Sequence, residues 1–149
     1  MYQFGKRSAE KLQTCHKDLQ VIMNLSLSRS KIDFGISEGY RTTGRQKELF
    51  DQGKSKIDGI NKLGKHNLSP SEAVDIYTYH SDKKTRSKIA YDKSHLSYIS
   101  GIIDSCVLEL LEKGDITHKI RWGANWDSDG IIDFDQSFDD FPHFELLKL

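Results

Sequence analysis

Residues 65–77, KHNLSPSEAVDIY, decide how the chain is read. The first half is polar and holds His66 and Pro70. The second half, 73–77, is a short apolar run of strand character that contains one carboxylate, Asp75, between Val74 and Ile76. Burying a carboxylate in a strand costs free energy unless a positive group or several donors hold it. The rest of the sequence has to supply that partner.

Working outward, the pattern predicts helices around a few strands. Residues 8–28 read as one amphipathic helix, capped by Ser8, with Leu12, Cys15, Leu19, Ile22 and Met23 at helical spacing. Ile32, Phe34 and Ile36 alternate with polar residues, as in a strand with one buried face. Residues 44–53 form a short helix ending at Gly53. Residues 54–72 are rich in Gly, Lys, Ser and Asn and read as a long loop, a feature that in a compact domain is commonly functional or disordered. A second strand covers 73–79. One long helix covers 83–113, with Ile89, Leu96, Ile99, Ile103, Cys106 and Leu110 as its apolar stripe and Gly114 as its end. A third strand spans 119–126, an acidic loop 127–140, and a last strand 143–147. The order lacks a regular βαβ rhythm. The fold class expected is therefore α+β, a small, mainly antiparallel sheet with helices packed against it. No repeat or linker divides the chain, so one domain is expected over residues 1–149.

Hydrophobic residues make up 36% and charged residues 30% of the chain, the balance of a soluble globular protein. Lys plus Arg and Asp plus Glu both number 22, so no basic excess points to a nucleic-acid partner. No segment has the length of a membrane span, and the N-terminus lacks a signal-peptide stretch. No stable membrane insertion and synthesis in the cytosol are expected. Cys15 and Cys106 fall among apolar residues and read as buried thiols.

There are six histidines. His16, His95 and His118 read as ordinary surface residues. His66 and His143 differ, because one enters and the other begins a strand. With Asp75 they form a set that can hold catalytic zinc: three protein ligands and one open position. Spacing alone favours the plainer alternative, a structural aspartate bonded to backbone, because no HExxH helix is present. His80 is a weaker alternative ligand. The acidic loop raises a second metal question. Asn125, Asp127, Asp129, Gly130, Ile132, Asp133 and Gln136 partly match a calcium loop, with Asn first and Gln twelfth. A Ca2+ site acting as an activity switch stands there against a solvated acidic loop.

SEGYRT (37–42), KH…SPSEAVDIY (65–77), RWGANW (121–126) and DFPHFEL (140–146) together resemble the D-alanyl-D-alanine carboxypeptidase-like zinc metallopeptidases. Within them the chain is most similar to bacteriophage L-alanyl-D-glutamate endolysin peptidases. The resemblance covers nearly the whole chain and implies a hedgehog/DD-peptidase-like fold. It also implies Zn2+ held by His66, Asp75 and His143, with Asp140 as catalytic base and Arg41 binding a substrate carboxylate or steadying the oxyanion. Asp139 competes with Asp140 as base but breaks the register. Glu145 shares a strand face with His143 and could orient a histidine. Trp122, Trp126 and Tyr77 shape the cleft or belong to the core. The family motif S-x-H-x-x-G-x-A-x-D is met with Gly64 two before His66 and with two extra residues before Asp75.

The function implied is hydrolysis of the L-alanyl-D-glutamate bond of peptidoglycan stem peptides, lysing the host cell. The alternatives are a D-alanyl-D-alanine carboxypeptidase and a non-catalytic zinc-bearing wall-binding module. The resemblance further implies a monomer without a separate wall-binding domain. It would wait in the host cytoplasm for a holin-type pore and then act at the periplasm or cell wall.

Overall fold

The computed structural model describes residues 1–132, 134, 136 and 138–149. The helix expected over 8–28 is two: α1, Lys6–Leu12, and α2, Lys17–Arg29. The break has a long-range cause. Cys15 bridges in parallel to Ser71, with the His16 N–H donating to the Ser71 carbonyl at 2.8 Å and the Ser71 N–H to the Thr14 carbonyl at 2.9 Å. His16 then caps α2, its Nδ1 accepting from the Asp18 N–H. These bonds tie the segment that enters the Asp75 strand to the helical layer.

Next come β1, Phe34–Glu38, and α3, Thr43–Asp51, capped by the Thr42 hydroxyl. A 3-10 turn at Lys65–Asn67 falls inside the expected loop and is followed by β2, Ala73–Thr78. The helix expected over 83–113 is also two, α4, Lys83–Ile89, and α5, Lys93–Lys113. Between them the Ala90 carbonyl accepts from the Thr78 N–H, and Asp92 caps α5 by accepting from the His95 N–H. Gly114 ends α5 at φ +76°, in the left-handed region. β3, His118–Gly123, stops short of the expected end, and β4, Asp140–Lys148, starts earlier than expected.

The four strands pair antiparallel in the order β1-β2-β4-β3. This is the expected α+β class. One sheet face carries Phe34, Ile36, Val74, Ile76, Trp122, Phe144 and Leu146 into a core shared with α2 and α5. Leu19, Ile22, Met23, Leu96, Ile99 and Ile103 come from those helices and are fully buried. Each such side chain contributes about 1.5–3 kcal/mol by leaving water. Cys15 and Cys106 are free and buried, and burial pushes the Cys15 thiol up to about 11. Among the described residues no helix is long and apolar enough to cross a membrane.

Strand alternation sends the intervening residues to the opposite face. There Asp75 pairs directly with His143, and Glu145 lies between Ala73 and Arg121. Two register shifts shape this face. Ile36 pairs with Ile76, but Glu38, not Ser37, pairs with Asp75. That extra residue is a bulge that re-aims Glu38 beside Asp75. The second shift brings Gly123 opposite Asp140. A Cβ on Gly123 would lie 2.3 Å from the Asp140 carbonyl oxygen. Gly123→Ala is therefore expected to displace Asp140 and cost about 1–3 kcal/mol of stability. A thermal melt and a wall-lysis assay on the same preparation check it; unchanged values in both would refute the tight approach.

Candidate active site

The face opposite the helices floors a cavity of about 930 Å³. Its walls come from the segment between α3 and β2 and from Trp126, Gln136 and Phe138. The Lys56 ammonium sits over the Phe138 ring at 5.5 Å, so the two walls touch.

His66 enters from the 3-10 turn. The Arg41 N–H bonds the His66 carbonyl, and the Asn67 amide bonds the Arg41 carbonyl, which stitches the turn to the end of β1. His66 Nδ1 lies 2.7 Å from the Gly39 carbonyl. Facing an acceptor, Nδ1 carries the proton and leaves a lone pair on Nε2. His143 Nε2 lies 2.9 Å from Glu145 Oε1, and by the same logic its Nδ1 is turned inward.

Three atoms meet at the floor. His66 Nε2 is 3.3 Å from His143 Nδ1 and 3.3 Å from Asp75 Oδ1, and His143 Nδ1 is 3.1 Å from Asp75 Oδ1. A tetrahedral ion with bonds of about 2.0–2.1 Å would place its ligands about 3.3 Å apart. The three residues thus fit a metal ion in both donor type and spacing. Three electron-rich atoms this close require positive charge among them. Burial alone would lower the His143 imidazole, but hydrogen bonds to Asp75 and Glu145 push it up to about 10. Burial would raise Asp75, yet His66 and His143 hold its carboxyl far below the usual range. A proton on His143 supplies that charge where no cation does, and a metal ion takes the same place.

Arg41 completes the setting of Asp75. Its Nη2 lies 3.3 Å from Asp75 Oδ2, while Nε and Nη2 donate to Glu38 at 2.9 and 2.7 Å and Nη1 to Gln46 at 2.9 Å. One hydrogen of Nη1 is left for a substrate group. Asp140 begins β4, lines the cavity, and lies 4.0 Å from His143 Nδ1. Burial and the Asp75 carboxylate push its carboxyl up to about 6. Asp139 is bonded to Gln136 and is not part of the cavity wall.

Several readings left open by the sequence are decided here. Trp122 belongs to the core, stacked on Phe144 and donating to the Phe141 carbonyl; only Trp126 lines the cavity. Tyr77 covers Gly35 instead. His80 is exposed and bonds the Asp82 N–H. The calcium reading of residues 125–136 finds no support. Among the described residues no metal-holding group lies there. Asn125, Asp127 and Asp129 accept from N–H groups of their own loop, and Gln136 holds the Trp126 N–H. Asp133 lies outside the described residues. A second His–Asp–His group, His16, Asp18 and His118, was not expected. Asp18 accepts there from His118 Nδ1 and the Thr117 N–H, tying α2 to β3.

Glu38 and Gln46 also went unseen, since neither a bulge nor a helix-to-loop contact leaves a local pattern. Glu145 does what its strand position suggested. Its second oxygen accepts from Arg121 at 3.1 Å, and Arg121 lies over the Trp126 ring. Glu145→Gln is expected to weaken metal affinity about 10–100-fold. Competition with a chelator measures this, and an unaltered affinity would show that Glu145 does not fix the His143 tautomer.

A cleft over two imidazoles and a carboxylate that fit a metal ion, with a second carboxylate at its wall, suits metal-assisted hydrolysis. The chain belongs to the phage L-alanyl-D-glutamate peptidase family, whose model matches residues 1–147. It is similar in fold to the Serratia marcescens L-Ala D-Glu endopeptidase ChiX, with a TM-score of 0.73 and 24% identity over 98% of this chain and 90% of that one. The protein is thus a peptidase, and its substrate class is peptidoglycan.

Proposed function

We propose that the chain is a zinc-dependent endolysin peptidase that cuts the L-alanyl-D-glutamate bond of stem peptides, with His66, Asp75 and His143 as metal ligands. The observation that carries this is the spacing of their three donor atoms at the floor of the cavity. Two imidazoles with one carboxylate suit zinc better than the hard, oxygen-seeking cations. Zinc bound there would supply a Lewis acid that lowers the pKa of water to about 7 and polarises the scissile carbonyl.

The side chains do the rest. Asp140 takes the proton from the attacking water and delivers it to the leaving nitrogen. Arg41 holds Asp75 in place and offers its remaining N–H to a substrate carboxylate or to the developing oxyanion. Glu145 keeps the His143 lone pair inward. The products are a carboxylate on L-alanine and a free amine on D-glutamate.

Mass spectrometry of digested peptidoglycan, with and without chelator, tests this. New D-glutamate amines that vanish on chelation are expected. Released D-alanine would indicate the carboxypeptidase alternative, and an intact wall a binding module. We further infer a single catalytic domain that acts as a monomer, held in the host cytoplasm until a holin-type pore admits it to the wall.

A further inference from the structure

Lys54 and Lys62 stand on the cavity wall, in the segment between α3 and the 3-10 turn. The other cations on the wall are engaged: Arg41 has Glu38 and Asp75, Arg121 has Glu145, Lys65 has Glu72, and Lys56 lies over the Phe138 ring. Among the described residues neither the Lys54 nor the Lys62 ammonium has a partner.

The backbone that presents them is held in shape. The Asp58 carboxylate accepts from the N–H groups of Ile60, Asn61 and Lys62. Gly59 turns at φ +75° and packs on Gln46. The Gln46 amide donates to the Ser55 hydroxyl and the Ile57 carbonyl, while its oxygen accepts from Arg41. One side chain therefore joins the lysine-bearing segment to the floor of the site.

We propose that Lys54 and Lys62 form the subsite for carboxylates on the amine side of the scissile bond, chiefly the D-glutamate α-carboxylate. This rests on the peptidase reading above. In a stem peptide the lactyl carboxyl before L-alanine is consumed as an amide, so the acyl side offers no free carboxylate. D-Glutamate is linked onward through its γ-carboxyl, which leaves its α-carboxylate free beside the scissile nitrogen. The substrate's negative charge therefore lies on one side only, and the unmatched lysines give the cleft a matching polarity. The leaving amine lies toward the lysine segment and the acyl group toward Trp126. Lysine, a point charge on a flexible stem, suits carboxylates that differ in placement between wall types.

The test uses two soluble stem peptides that differ only at the D-glutamate α-position, carboxylate in one and carboxamide in the other. The zinc-loaded protein is expected to prefer the carboxylate about tenfold in kcat/KM, mainly through KM, as two exposed charges would give. The preference should shrink as salt is raised. In the Lys54→Ala, Lys62→Ala double variant the ratio should fall to about one, and in the corresponding double arginine variant it should persist. Circular dichroism and zinc content report on folding. A wild-type ratio near one, or a double alanine variant that keeps the wild-type ratio, overturns the subsite. A wild-type protein that cuts neither peptide nor purified sacculi removes the peptidase reading, and the subsite with it.

Discussion

Asp140→Asn is expected to lower kcat on purified peptidoglycan by roughly 10²–10⁴-fold while the protein keeps its fold and its metal. Asparagine matches the carboxyl in shape but cannot accept the proton of the attacking water. Asp140 lies 4.0 Å from His143 Nδ1 and lines the cavity, whereas Asp139 is bonded to Gln136. The variant separates chemistry from binding, so KM should move little. Stability should change in the opposite direction to activity. Burial and Asp75 raise Asp140 from 3.8 to about 6, so the folded protein binds its proton more tightly than the unfolded chain does. In metal-stripped protein the ionised group then costs stability increasingly as pH rises from 4, and fully above 6. Asparagine removes that cost, and the stripped variant should melt no lower than the wild type at pH 7. Undiminished turnover would end the assignment of Asp140 as base.

Asp75→Ala is the second large effect. Metal content should fall from about one ion per chain to none, and lysis should be lost with it. Arg41 Nη2 and His143 Nδ1 would each lose the carboxylate they face and keep only Glu38 and Glu145, so the buried network is broken from one side. Breaking a buried charge network from one side costs roughly 3–5 kcal/mol. Elemental analysis and a thermal melt measure the two effects separately. A variant that keeps zinc and full activity would show that Asp75 is no ligand.

The resemblance named His66, Asp75 and His143 together, where spacing alone favoured a structural aspartate; the sequence by itself determined the α+β class and the strand around Asp75. Alternation does this without tertiary information: with Val74 and Ile76 turned to the core, Asp75 must face the other way. The same rule placed Glu145 beside His143. Local pattern could not reveal contacts between distant segments. Cys15 with Ser71, and Thr78 with Ala90, broke two helices that hydropathy periodicity ran together. The bulge at Ser37 put Glu38 against Arg41 and Asp75, and the shift at Gly123 brought Asp140 to the cavity. Register and helix ends answer to pairing with partners far along the chain, which no short window contains. The tertiary structure alone therefore decided that Asp140 and not Asp139 lines the cavity, that Trp122 is core and Trp126 cleft, and that Asn125, Asp127 and Asp129 spend their oxygens on their own loop. It also gave the carboxylate between Val74 and Ile76 its positive surroundings, which the strand sequence requires but cannot supply.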